Sequence, residues 1–290
     1  MSSQITTSFV EQYKNNVQLL SQQMGSKLRG AVDVESVQAN NAFFEQIGST
    51  AAIKRTSRHG DTPQIDTPHA RRRVSLEDYE WADLVDESDK VRMLIDPTST
   101  YARAAAAAMG RSMDDVIITA LGGTASTGVS GATSTALPSS QKPFSSSQSD
   151  GMTVAKLLEA KKLMDLADVD PSLKRYVVCS PTQISDLLNT TEVKSSDFNT
   201  VKALAQGTVN SFLGFEFIMS NRLSLDATNT DDRLCYAFTA DAIKLAVGKD
   251  VMAKISERAD KSYSTQVYYC MSIGAVRMEE DKVVEIACDE

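Results

Sequence analysis

Residues 54–75 read Lys54-Arg55-Thr56-Ser57-Arg58-His59-Gly60-Asp61-Thr62-Pro63-Gln64-Ile65-Asp66-Thr67-Pro68-His69-Ala70-Arg71-Arg72-Arg73-Val74-Ser75. Large apolar side chains are almost absent, and Gly60, Pro63 and Pro68 exclude a helix interior. Six cations (Lys54, Arg55, Arg58, Arg71, Arg72 and Arg73) stand against two acids, Asp61 and Asp66, a local charge near +4 in a chain of formal charge −8. Such a stretch has little apolar surface to bury. It predicts an extended limb or hairpin, with its tip near His59 to Pro68, standing outside the chain's own core.

The flanking sequence predicts elements with the same incompleteness. Residues 5–24 set Phe9, Tyr13, Val17, Leu20 and Met24 at spacings of three and four, a helix with one narrow apolar stripe. It is too narrow to fold alone and predicts an arm lying on another surface. Downstream, Asp96-Pro97 starts a helix through Ala104 to Ala108, Gly110 interrupts it, and Ser112 with Asp115 opens a second helix that Gly122-Gly123 stops. Residues 122–151 are mostly Gly, Ser, Thr and Ala with few large side chains, which predicts a long mobile loop. Thr153 caps a helix with Leu157, Ala160, Met164 and Ala167 on one face and Lys156, Lys161 and Lys162 on the other, ended by Pro171. Strands are predicted at Arg175 to Cys179, Phe215 to Ser220, Leu234 to Phe238, Ile243 to Val247, Gln266 to Val276 and Val283 to Ala287, with a capping box at Ser180-Pro181-Thr182-Gln183. Helices and strands mix without a regular β-α-β period, so the fold class is α+β.

Bulk properties and motifs exclude several functions. A net charge of −8 argues against a dedicated nucleic-acid or membrane binder. The N-terminus lacks a signal-peptide core, and no apolar run approaches the length that spans a bilayer, so the expected setting is cytoplasmic. Cys179, Cys235, Cys270 and Cys288 form no C-x-x-C and read as small buried hydrophobes in a reducing compartment. His59 and His69 flank Asp61 and Asp66, but their spacing fits no metal site. Ser130 in Gly128-Val129-Ser130-Gly131-Ala132 imitates a nucleophile elbow without the strand and helix that motif needs. No phosphate-cradling glycine motif occurs, and Asp114-Asp115 and Glu279-Glu280 are adjacent pairs, not facing ones. No catalytic, cofactor-binding or metal-ligating residue is expected, and the chain is read as no enzyme. The run Arg71-Arg72-Arg73 suits bidentate pairing with a partner's carboxylates, those of Asp83, Asp86, Glu87 and Asp89 or of Glu279, Glu280 and Asp281. Nucleic-acid contact is its alternative reading.

The order of parts resembles the major capsid proteins of tailed bacteriophages with the Hong Kong 97-type fold. The resemblance spans nearly the whole chain. It rests on the arm, the basic loop from His59-Gly60-Asp61-Thr62-Pro63 through Asp66-Thr67-Pro68-His69 to Arg72-Arg73-Val74, the alanine-rich helix and the strand before Ser180-Pro181-Thr182-Gln183. It continues with Leu213-Gly214-Phe215, Tyr236-Ala237-Phe238, Ala246-Val247-Gly248-Lys249-Asp250-Val251, Ser272-Ile273-Gly274-Ala275-Val276-Arg277 and Val283-Val284-Glu285-Ile286.

The resemblance implies an N-terminal arm at 1–49 and an extended loop at 50–80. It implies a peripheral domain at 81–175 with 251–282, its long spine helix at 153–168, and an axial domain at 176–250 with 283–290. It also implies a subunit of an icosahedral head that encloses double-stranded DNA, made in a host cytoplasm and ending in the virion. The expected interface residues are Phe9, Tyr13, Val17, Lys54, Arg55, Arg58, Arg71, Arg72 and Arg73. The expected partners are further copies in hexamers and pentamers, a portal protein, scaffold and decoration proteins, and packaged DNA held without base readout; no membrane is expected. Two rival functions are the shell of a bacterial encapsulin-type nanocompartment and a nucleic-acid-binding protein using residues 54–73.

Overall fold

The computed structural model describes residues 22–58, 60–62, 64–85, 98–144, 150–189, 211–227 and 231–290, with backbone alone at 98–100. The predicted helix at 5–24 lies outside these residues except for its last three. The chain divides into two units. One takes in Met1–Ser26, Asp78–Arg111 and Lys249–Met271; the other Lys27–Glu77, Ser112–Gly248 and Ser272–Glu290.

The second unit is built on a five-stranded sheet of order β13-β10-β7-β9-β8: Val283–Asp289, Asp232–Thr239, Arg175–Cys179, Phe215–Met219 and Ser211–Phe212. Strand β7 matches its predicted bounds, and all five of its residues are buried. A continuous apolar run is what a central strand covered on both faces requires. Helix α2, Val154–Leu166, buries Leu157, Ala160 and Met164, and Thr153 caps it by accepting from the Lys156 N–H at 3.3 Å. Helix α3, Pro181–Asn189, follows β7 with Ser180 Oγ accepting from the Gln183 N–H at 3.4 Å. Gln183 does not close the capping box. Its buried amide accepts from Met152 N at 2.8 Å and donates to Asp289 O at 3.0 Å. Lys156 departs from its expected solvent face: it is buried, with Nζ donating to Asp150 O at 2.6 Å and Ala287 O at 2.9 Å. Those two carbonyls take the ammonium where an acid would otherwise be needed. All four cysteines are free and buried; burial and the nearby Cys288 push the Cys179 thiol up to about 12.

A second sheet, of order β2-β3-β5-β6, joins Asn41–Ile47, His69–Ser75, Ala125–Thr127 and Thr133–Thr135. It corrects the reading of 122–151 as one mobile loop. Residues 125–135 form a short hairpin turned by Gly128 and Gly131, both at positive φ, and β5 pairs with β3 through Thr127↔Arg72 and Ser126↔Arg73. Threonine favours strands, so the polar composition concealed the pairing.

The third sheet has the order β1-β11-β12-β4, with β1 Asp33–Ser36, β11 Ile243–Arg258, β12 Ser264–Arg277 and β4 Glu77–Val85. β11 runs well past its expected end at Val247. β4, not expected as a strand, is the outer strand of its sheet.

The longest helix, α1, runs unbroken over Thr98–Gly122. This corrects the predicted pair of helices divided at Gly110. A Cβ at Gly110 would sit 2.4 Å from Gly25 C and 2.6 Å from Ser26 N. The glycine lets another backbone cross the helix; it does not end it. Asp115, read as part of a capping box, instead pairs with Arg222, and its neighbour Asp114 is buried and accepts the N–H groups of Lys27 and Leu28 at 3.1 Å.

Candidate subunit interface

The basic stretch is the return strand and loop of a hairpin. β2 and β3 pair antiparallel from Asn41↔Ser75 to Ile47↔His69, and the described residues of 48–68 between them lie outside regular structure. Alternation along β3 splits the arginine run. Arg72 and Val74 point inward and are buried; Arg71 and Arg73 point the other way and are half-exposed.

Val74 and Phe44 join Ala125, Ala246, Val276 and Met278 in a small core. The lower half of the limb is therefore part of the chain's own core, which corrects the reading of the whole stretch as coreless. The apolar side chains of β2 supply what β3 lacks.

Arg72 enters a buried charge cluster. Its Nε donates to Met278 O at 3.0 Å and its Nη2 to Glu280 at 2.6 Å. The other oxygen of Glu280 lies 3.7 Å from Nε of Arg277, which is fully buried. Arg277 Nη1 donates to Leu121 O at 2.8 Å and Gly123 O at 2.7 Å, and Nη2 to Thr135 O at 3.2 Å. One guanidinium thus satisfies the carbonyls that end α1 and ties them to the β5-β6 hairpin. Burial pulls the Arg277 guanidinium below its ordinary value, against the pull of Glu280. Arg72 was expected at a subunit interface; its charge is committed inside its own subunit.

The outward face keeps its cations accessible. Arg71 pairs with Glu45 at 2.8 Å and lies 5.7 Å over the Phe43 ring. This exposed pair contributes little stability. Arg73 packs its stem on Gly131, where an added Cβ would lie 2.6 Å away. Farther out, Arg55 donates to Ser57 O at 2.8 Å, and Ile53 and Ile65 are exposed. Lys54 and Arg58 have no ion pair among the described residues. Phe9, Tyr13, Val17 and His59 lie outside those residues.

The rejected chemistries can be placed. His69 opens β3 on the exposed face. Ser130 sits in the β5-β6 turn, strand to strand, not in the strand-to-helix turn of a nucleophile elbow. Among the described residues, no three His, Cys, Asp or Glu side chains group to hold a metal ion. Among the same residues, no helix is long and apolar enough to cross a membrane.

A family profile described as "Phage capsid protein" matches residues 5–290. The chain belongs to the phage capsid protein family. No curated protein matches it in sequence. Among solved structures, the capsid of Cyanophage P-SCSP1u superposes with a TM-score of 0.73 at 14% identity, over 99% of this chain and 94% of that one. The Cyanophage Pam1 capsid gives 0.71 at 12% identity, over 98% and 97% of the two chains. A chain of Mycobacterium phage Che8 gives 0.69 at 18% identity, over 96% and 97%. These likenesses are of fold, and the fold is the Hong Kong 97-type capsid fold. This capsid protein is therefore a major building unit of a phage head, in a family whose role is structural. The family places it in a shell of many copies.

Proposed function

We propose that this capsid protein closes into an icosahedral shell of hexamers and pentamers around double-stranded DNA. The observation that carries the reading is the limb at residues 48–68. Its described residues link the packed strands β2 and β3 outside regular structure, with exposed cations and the exposed Ile53 and Ile65. A projecting segment that fits a different patch on a second copy makes a head-to-tail contact, and repetition of that contact closes rings. In this reading the loop at 50–80 reaches over a neighbour, and Lys54, Arg55, Arg58, Arg71 and Arg73 face it. The arm at 1–49, with Phe9, Tyr13 and Val17, lies along another copy. The five-stranded sheet belongs to the axial domain, 176–250 with 283–290. The peripheral domain takes 81–175 with 251–282. A portal protein and scaffold and decoration proteins complete the head, which is assembled in the host cytoplasm. Packaged DNA is held by diffuse charge, without base readout.

The test is negative-stain microscopy of the purified protein and of infected-cell lysate, with assay of nuclease-protected nucleic acid. Closed particles containing DNA in the lysate are the expected result. Particles holding only a protein cargo would reassign the chain to a nanocompartment shell, and a persistently monomeric protein would overturn the assembly reading.

A further inference from the structure

We infer that the limb cations of one copy dock along the acidic outer strand β4 of a second copy. This rests on the shell reading above and names the surface that receives the limb. The sequence named two acidic groups, Asp83 with Asp86, Glu87 and Asp89, and Glu279 with Glu280 and Asp281; of the first only Asp83, on β4 with Asp78 and Glu80, lies among the described residues. Two acids of the second are ion-paired within their own subunit, Glu279 with Lys282 at 3.0 Å and Glu280 with Arg72 at 2.6 Å, and the third, Asp281, accepts the neutral Gln141 amide at 3.2 Å.

Strand β4 is different. Asp78, Glu80 and Asp83 have no ion pair among the described residues. Among the same residues Glu80 accepts the neutral Tyr268 hydroxyl at 2.7 Å, and Asp83 its neighbour's N–H at 2.8 Å. Asp78, Glu80, Ala82 and Leu84 alternate onto one exposed side of the strand. The limb offers the complement: Lys54, Arg55 and Arg58 without ion pairs among the described residues, Arg55 donating to the Ser57 carbonyl, and Ile53 58% exposed to meet Leu84, 42% exposed. Each surface carries charge without an ion pair among the described residues, and the signs are opposite.

The hairpin favours a second copy as the host. The limb rejoins β3 at His69, whereas β4 starts at Glu77, beyond the other end of β3. The seven residues of β3, six steps of about 3.3 Å, hold its two ends about 20 Å apart. Acids on an outer strand also discourage edge pairing; if that is their whole role, reversing their sign will leave assembly intact.

The test uses full-length chains. One variant carries Lys54→Glu, Arg55→Glu and Arg58→Glu; the other carries Asp78→Lys, Glu80→Lys and Asp83→Lys. Circular dichroism and melting check that each is folded. Each variant alone is expected to lose at least tenfold in particle yield by light scattering and microscopy. A chain carrying both sets of changes is expected to recover yield, because every limb then meets an outer strand of opposite charge. Full assembly of either single-set variant overturns the proposal, as does a folded chain with both sets that stays unassembled. If the strand variant fails to fold, carbodiimide cross-linking of mixed ¹⁴N and ¹⁵N wild-type particles replaces it. Links from Lys54 to Asp78, Glu80 or Asp83 in mixed-isotope pairs support the docking, and links from Lys54 only to other sites overturn it. Absence of particles from the wild-type chain would instead sink the shell reading itself.

Discussion

At the scale of single residues, the decisive side chain is Arg277. It is fully buried and spends its donors on the carbonyls of Leu121, Gly123 and Thr135. Removing it strands those carbonyls and leaves Glu280 with Arg72 alone. Arg277→Met is expected to cost about 3–5 kcal/mol, the range for breaking a buried charged cluster, read as a fall in the urea midpoint. Two carboxylates should respond to pH in opposite senses. Burial raises Asp241, but hydrogen bonds from Lys282 and Thr239, each 2.7 Å, outweigh it and leave the carboxyl below its ordinary value. Its contribution is therefore present at neutral pH and lost as pH falls through the lowered folded value. Asp186 is raised by burial and then by the charges of Glu290 and Asp289. Its favourable contribution exists only in acid, so ionisation opposes folding at neutral pH. At pH 7, Asp241→Asn should lower the urea midpoint and Asp186→Asn should raise it; both differences should shrink at pH 3. The sequence showed the arginine run but not its division. One β register turns Arg72 inward to Glu280 and Arg71 outward to Glu45, and no local pattern in 71–73 announces which residue pairs across 208 positions.

Among elements, strands buried on both faces were the most legible. β7 matched its bounds, β13 ran two residues past its predicted end and β10 two residues before and one after, because a run such as Tyr176-Val177-Val178-Cys179 has one reading. β4 was missed because alternating half-exposure with Glu and Asp on the open side resembles a polar linker. β2 and the β5-β6 hairpin were missed for a related cause: their strand character depends on β3, far away in sequence. Gly110 misled for the opposite reason. Glycine inside a helix costs about 1 kcal/mol against alanine and so reads as a break. Here the crossing of Gly25 and Ser26 supplies the compensation. Gly110→Ala should therefore destabilise the protein by about 1–3 kcal/mol despite its better helix propensity. Gly30→Ala, where nothing lies within 4 Å of the added carbon, is the control and should be near neutral in the same thermal melts.

For the whole molecule, the order of parts was legible and the inner contacts were not. Arm, basic limb, helices and a β-rich ending can be read in sequence because each differs in composition. The charge cluster and the chain crossing at Gly110 unite positions that sequence keeps far apart. At this scale the expected outcome is a separation of folding from assembly. Changing Lys54, Arg55 and Arg58 to Ala should leave the melting temperature within about 1 °C, since exposed cations contribute little to stability. The same change should cut particle yield severalfold, measured by sedimentation.

The exposed stretch between Ile47 and His69 also gives the molecule a built-in reporter. Lys54, Arg55 and Arg58 are trypsin sites in exposed chain that belongs to no helix or strand. A dispersed subunit should be nicked there within minutes, while its sheets survive as two large fragments. The same bonds, once shielded by a neighbour, should resist. The rate of one cleavage would then show how many subunits have joined, without a microscope.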